Sequence, residues 1–186
     1  GSLYYNSGSG NCYSGQNNET TTCNFTSTGI KNAETRNLIS DTTYYLGGYS
    51  SSSVYPNQIY EYERGTKVYS ERPTTWPGKI ALPYPSDYGY AADLGKCRNK
   101  QLSAYNESTC TSNNWMNTII APNQGWLLTP DSGYASYAWY VLSSGSVNGN
   151  YYASYARGVA PVLSLNSELA VKAGTGSSSA PYQLSA

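Results

Sequence analysis

The densest alternation of apolar and polar positions lies between Gly125 and Leu165. Trp126, Leu127, Leu128 and Pro130 lead it, Val141, Leu142 and Val147 occupy its middle, and Gly158, Val159, Pro161, Val162, Leu163 and Leu165 close it. The pattern predicts strands over about 126–128, 137–143, 146–148 and 159–165, with a hairpin turn at Ser144-Gly145. Upstream, Ile30, Ala33, Asn37 and Leu38 fall on one helical face, extended by Tyr45. They predict a helix within about 29–46, capped by Thr28, stopped by Gly47-Gly48 and weakened at its end by Thr42 and Thr43. Residues 49–58 read as a Ser-rich loop, and 59–72 as a short helix to Arg64 or a hairpin turning at Gly65. Lys79–Leu82 reads as a strand ended by Pro83 and Pro85, and Ser86 as the cap of a short helix with Asp87 at its positive end. Trp115-Met116 is expected to return the chain to the core. Further strands are expected over Glu168–Lys172 and Tyr182–Leu184, the latter closing the sheet. The rhythm is not βαβ, so the expected class is α+β, with two helices packed on a twisted antiparallel sheet. Residues 1–28 form a polar opening. No repeat divides the chain, and 186 residues fit one domain, 1–186.

Composition narrows the function. Charged residues are 12% of the chain and the formal net charge is zero, so backbone-driven nucleic-acid binding is not expected. His is absent, which removes the His-based serine triads and His-containing zinc sites. Glu61, Glu63 and Glu71 form no recognisable catalytic or calcium pattern and read as a solvated face. Asp87 reads as a helix cap rather than a cation ligand. No enzyme, cofactor or metal is therefore expected. Four cysteines allow three pairings. Their spacing does not fit the close pairs of a Cys₄ zinc site, and the nearest-neighbour choice is Cys12–Cys23 with Cys97–Cys110. Disulfide-stapled loops point to an exported, oxidised protein. An export signal or anchor is expected upstream of Gly1, with no membrane contact by the present residues.

The filling of the 125–165 block is the candidate site. Asp131, Ser132, Tyr134, Ser136, Tyr137, Trp139, Asn148, Asn150, Tyr151, Tyr152, Ser154 and Tyr155 combine rigid amphipathic rings with small polar groups. That combination suits a contact surface for another molecule. Each ring competes with partial core burial, and Trp139 is the most structural of them. Tyr151 and Tyr152 are neighbours in an extended stretch, so at most one faces a given ligand. Asn148 and Asn150 offer paired donors and acceptors, or else form a turn beside Gly149. Trp126, Leu128, Val141, Val159, Val162 and Leu163 read as core, and Trp76 and Trp115 as packing residues.

Three blocks resemble a domain family of secreted and surface bacterial proteins: Trp126–Pro130, Gly145–Val147 and Arg157–Leu163. Lys31–Asn37 and Ile80–Ala91 resemble two upstream blocks, so the resemblance runs from Gly29 onward. It implies the C-type-lectin-like fold of formylglycine-generating enzymes, which also carries variable proteins diversified by retroelements. Some members are joined to type IV pilin-like helices. The family's arginine before proline is Ala160 here, with Arg157 just upstream. The calcium-binding triplets of sugar-binding C-type lectins are not found. The expected function is an adhesin-like recognition domain at the bacterial cell surface or outside the cell. Its expected partner is a protein or glycan on another cell, a phage or a host surface. The alternative is the head domain of a pilin-like filament subunit, with other subunits as partners.

Overall fold

The computed structural model of this chain describes residues 2–4, 33–97, 100–177 and 179–185. In chain order the strands are β1 (Ser2–Tyr4), β2 (Thr42–Tyr45), β3 (Thr75–Gly78), β4 (Ile80–Ala81), β5 (Trp126–Pro130), β6 (Tyr137–Val141), β7 (Val147–Tyr152), β8 (Ala156–Gly158), β9 (Val162–Leu163), β10 (Ala170–Ala173) and β11 (Gln183–Ser185). The helices are α1 (Ala33–Asn37), α2 (Pro56–Glu63), α3 (Pro85–Tyr90), α4 (Leu94–Cys97), α5 (Ser108–Thr111) and α6 (Asn117–Ile120). The class is α+β, with α2 and α3 the two substantial helices.

The strands do not join in one twisted sheet. β5, β6 and β7 form a three-stranded antiparallel sheet, and the others pair as four separate antiparallel ladders: β1 with β8, β2 with β3, β4 with β9 and β10 with β11. Prolines contribute to this division, because a proline cannot donate to a ladder. Pro77 lies inside β3, Pro83 follows β4, Pro130 ends β5 and Pro161 precedes β9. The final strand closes only its own hairpin.

The central sheet divides the core. Leu127, Trp139, Val141 and Val147 pack on one side with Val54, Ile59, Tyr88, Leu102 and Tyr105. Trp126, Ala138 and Tyr140 lie in a second cluster, covered by Leu82, Tyr151 and Val159. Gly145 turns β6 into β7 with φ +93°, in the left-handed region that favours glycine. The disulfide Cys97–Cys110, with Cα atoms 5.4 Å apart, joins α4 to α5. The other expected pair, Cys12–Cys23, lies outside the described residues, as do Thr28 and most of the polar opening.

Several local expectations are corrected. The predicted 29–46 helix is described only as α1, and Thr42–Tyr45 extends instead, paired with Thr75–Gly78. Two β-branched threonines and two tyrosines suit a strand once a partner is available. At 59–72 the helical alternative forms, but it starts inside the predicted loop. Pro56 is its first residue, and the Tyr55 N–H donates to Gln58 Oε1 at 3.1 Å. α3 forms as expected, with Tyr84 rather than Ser86 at its N-cap, and Asp87 Oδ2 accepts the Tyr84 N–H at 2.9 Å. Trp126, Leu128 and Val141 are buried. Val159 and Val162 are only half-buried and Leu163 is exposed, because β9 is a two-residue edge ladder. Met116 enters the core while Trp115 is 66% exposed. Trp76, also exposed, stacks on Tyr44 at 5.7 Å.

Candidate functional site

The turn between β5 and β6 is organised from inside. Asp131 is buried, and its Oδ1 accepts the N–H groups of Gly133 at 2.6 Å and Tyr134 at 3.0 Å. Burial raises its pKa above the ordinary carboxylate value, opposed by these two amides. Asp131 therefore shapes the turn and does not face outward. Arg72 reaches the turn from another loop and donates through Nη2 to the Ala135 carbonyl. In that loop Ser70 and Glu71 have positive φ, at 24° and 54°. The contribution of residues 69–72 to this end of the sheet had no signal in local sequence pattern.

Strand β7 carries a bulge. Ala138 pairs with Tyr151 and Tyr140 with Asn148, so Trp139 opposes both Gly149 and Asn150. Trp139 is fully buried and its Nε1 donates to the Tyr49 carbonyl at 3.0 Å. Its indole lies against Gly149, where an added Cβ would sit 2.5 Å from Cε2. Trp139 belongs to the core and not to the contact face. Asn148 is half-buried, and its Oδ1 faces the exposed Asn150 N–H at 3.3 Å, which favours the local role expected beside Gly149.

The remaining tyrosines form a train of touching rings. Tyr134 meets Tyr137 at 5.0 Å, Tyr137 meets Tyr152 edge-to-face at 4.9 Å, and Tyr152 meets Tyr155 at 6.2 Å. Tyr155 meets Tyr151 at 5.1 Å, Tyr151 meets Tyr140 at 4.9 Å, and Tyr140 meets Trp126 at 5.9 Å. One end of the train is exposed, Tyr134 at 60% and Tyr152 and Tyr155 at 49% with the half-buried Tyr137 between them, and the other end is buried at Tyr140 and Trp126. Tyr151 and Tyr152 diverge as an extended backbone requires. Tyr151 packs with the second core cluster, while Tyr152 stands beside Tyr137 in solvent. Arg157 is buried behind the inner end, with its guanidinium 4.0 Å from the Tyr151 ring centre and 4.5 Å from that of Tyr140. Its Nη1 donates to Gln124 Oε1. Ser136 is exposed, and its carbonyl accepts the Ala153 N–H at 2.8 Å, while Ser132 and Ser154 are half-buried. The exposed cluster therefore consists of Tyr134, Ser136, Tyr152 and Tyr155 around the half-buried Tyr137, with Asn150 along the strand. It is an aromatic surface suited to ligand contact.

A second group was misplaced by sequence reasoning. Glu61 and Glu71 are exposed as expected, but Glu63 is completely buried. Its Oε1 accepts the Ser86 N–H at 2.9 Å, its Oε2 accepts the Ser86 hydroxyl, and Arg64 Nη1 lies 3.2 Å away. Glu63 thus holds a first-turn amide of α3 that has no partner within its own helix. Burial pushes its pKa up to about 7, against the opposing pull of Ser86 and Arg64, and Asp87 adds to the rise. The signal was present: Pro56, Ile59 and Glu63 share the buried face of α2, at the three- and four-residue steps of a helix.

Among the described residues, no group of three or more His, Cys, Asp and Glu side chains is placed to hold a metal ion, and no helix is long and apolar enough to cross a membrane. Comparison of the chain with models of protein families, with curated proteins and with solved structures returns no match.

Proposed function

We propose that this chain is a non-enzymatic recognition domain whose contact face is the outer part of the tyrosine train. The carrying observation is the continuous series of ring contacts, exposed at Tyr134 and Tyr152 and rooted in the core at Trp126. Such rings bring large contact area with few rotors, and their mutual packing fixes them before a partner arrives. The face is open, and the two clefts described for this chain are lined by other residues. An open aromatic face fits the surface of a protein or an extended glycan better than an enclosed small molecule. The scarcity of charge implies little electrostatic steering and an association rate near the unsteered range.

In this reading the chain is one C-type-lectin-like domain displayed at a bacterial surface or outside the cell. The Cys97–Cys110 disulfide supports an oxidising compartment. The partner is a protein or glycan on another cell, a phage or a host. The test is a binding screen of the purified chain against host surface proteins and glycans, with the Tyr137→Ala, Tyr152→Ala double variant alongside. A hit that disappears in the variant, with its melting transition retained, supports the face. A hit that survives in the variant moves the site elsewhere on the molecule.

A further inference from the structure

A cleft of about 300 Å³ lies away from the tyrosine face, between the free edge of β2 and the segment 162–164, with Arg64, Tyr84 and Asp87 among its lining residues. Its size is at the lower end of the roughly 300–1,000 Å³ of small-molecule sites. Arg64 is held by aromatic rings: its guanidinium lies 3.5 Å from the Tyr60 ring centre, 5.3 Å from that of Tyr84 and 5.9 Å from that of Tyr45. Nη1 is occupied by Glu63 and the Tyr60 carbonyl, both at 3.2 Å. Nη2 and Nε have no partner among the described residues, and the side chain is 29% exposed.

Acceptors and further donors lie beside it. Asp87 Oδ2 holds the Tyr84 N–H, which leaves Oδ1 open. The Tyr84 hydroxyl accepts from the Tyr45 N–H at 2.6 Å and donates to the Tyr45 carbonyl at 3.0 Å, so this phenol takes the place of a neighbouring strand. Tyr45 therefore turns its main-chain groups away from β3. Thr43, two residues earlier and opposite Pro77, turns its own the same way, because bonded and non-bonded positions alternate along an antiparallel pair. The cleft thus presents an open guanidinium edge, an open carboxylate oxygen and a main-chain N–H and C=O. Leu163 and the tyrosine rings supply apolar walls.

The charges decide the ligand class. Arg64 disfavours a cation, while the Asp87 carboxylate disfavours an anion. A neutral molecule with adjacent hydroxyl groups satisfies both signs at once, each hydroxyl donating to the carboxylate and accepting from the guanidinium. Its C–H faces suit the aromatic and aliphatic walls. We infer that the cleft bounded by Thr43, Arg64, Tyr84, Asp87 and Leu163 is a binding site for a neutral saccharide unit, separate from the tyrosine face and independent of calcium.

The test titrates the isotope-labelled chain with the methyl glycosides of glucose, galactose and mannose, each to about 20 mM, in chelator, following amide shifts by NMR. Saturable shifts at Thr43, Tyr45 and Arg64 are expected with at least one of them. Affinity should fall at least tenfold in Arg64→Gln, which removes the donor edge. It should fall likewise in Thr43→Trp, which fills the cleft from an exposed position and leaves the Glu63 contacts in place. The Tyr137→Ala, Tyr152→Ala variant should bind as the unaltered chain does. The inference is overturned if none of the three glycosides gives saturable shifts. It is also overturned if a folded Thr43→Trp chain binds undiminished, or if the double tyrosine variant abolishes the shifts.

Discussion

Replacing Glu63 by Gln should change how stability depends on pH. In the folded chain the Glu63 carboxyl is raised from its ordinary 4.5 to about 7, chiefly by burial. Between these values the folded state holds a proton that the unfolded chain has released. Stability therefore falls as pH rises from the lower value, and the loss is complete above the upper one. At about 1.36 kcal/mol for each pH unit of separation, the loss reaches about 3 kcal/mol, a large part of the roughly 5–15 kcal/mol of a typical domain. Glu63→Gln keeps an acceptor for the Ser86 N–H and an amide for its hydroxyl, but has nothing to titrate. Asp131 is also raised by burial and acts in the same direction, but it is present in both proteins and cancels in the comparison, whereas the charge of Asp87 contributes to the Glu63 rise itself. Urea denaturation across roughly pH 4 to pH 8, followed by tryptophan fluorescence, gives both stability curves. The Gln variant should gain about 3 kcal/mol relative to the parent across this range. A difference constant to within roughly 0.5 kcal/mol would refute the argument, because Glu63 would then be charged and compensated throughout.

Three other substitutions probe the supports of the tyrosine face. Trp139→Ala should cost about 3–5 kcal/mol in chemical denaturation, since it empties a fully buried indole site and strands the Tyr49 carbonyl. Gly149→Ala brings a methyl to 2.5 Å from the same indole and should cost about 1–3 kcal/mol, with a change in the near-ultraviolet circular dichroism of the displaced ring. Asp131→Ala leaves the Gly133 and Tyr134 amides without their acceptor; about 1–3 kcal/mol of stability should go, and any partner bound at Tyr134 should dissociate faster although Asp131 does not touch it. Joint replacement of Cys97 and Cys110 by Ala opens a link across 13 residues and should lower stability by about 3 kcal/mol, read as a lower thermal midpoint.

The sequence made the β5–β7 region readable because its signals are local: an apolar run, alternating positions and a Ser-Gly turn. The start of α3 was readable to within two residues because proline and Asp87 restrict where a helix can begin. Pairing was harder to read. Thr42–Tyr45 becomes a strand through Thr75–Gly78, and Ile80–Ala81 meets Val162–Leu163 from the far end of the chain. Within the candidate face, composition grouped side chains that share chemistry but not position. Asp131 and Trp139 look like their exposed neighbours in sequence, yet one is drawn inward by two amides and the other by a bulge at Gly149. Glu63 shows the converse. Its charge argued for solvent, while its helical spacing from Pro56 and Ile59 placed it inside, and spacing prevailed because Ser86 and Arg64 supply partners there.

The contacts that run from Tyr134 to Trp126 also form an optical path. Excited tyrosine transfers its energy to tryptophan over distances longer than any step in this train, and the path ends on an indole shielded from water. Trp115, two-thirds exposed on a different element, emits further to the red than the buried Trp126 and Trp139. A partner settling on Tyr134 and Tyr152 would alter the tyrosine part of the excitation spectrum while leaving the colour of the buried emission unchanged. The tyrosines of the face thereby contribute to a signal read at the buried indoles, without a dye attached to any of the residues that make contact.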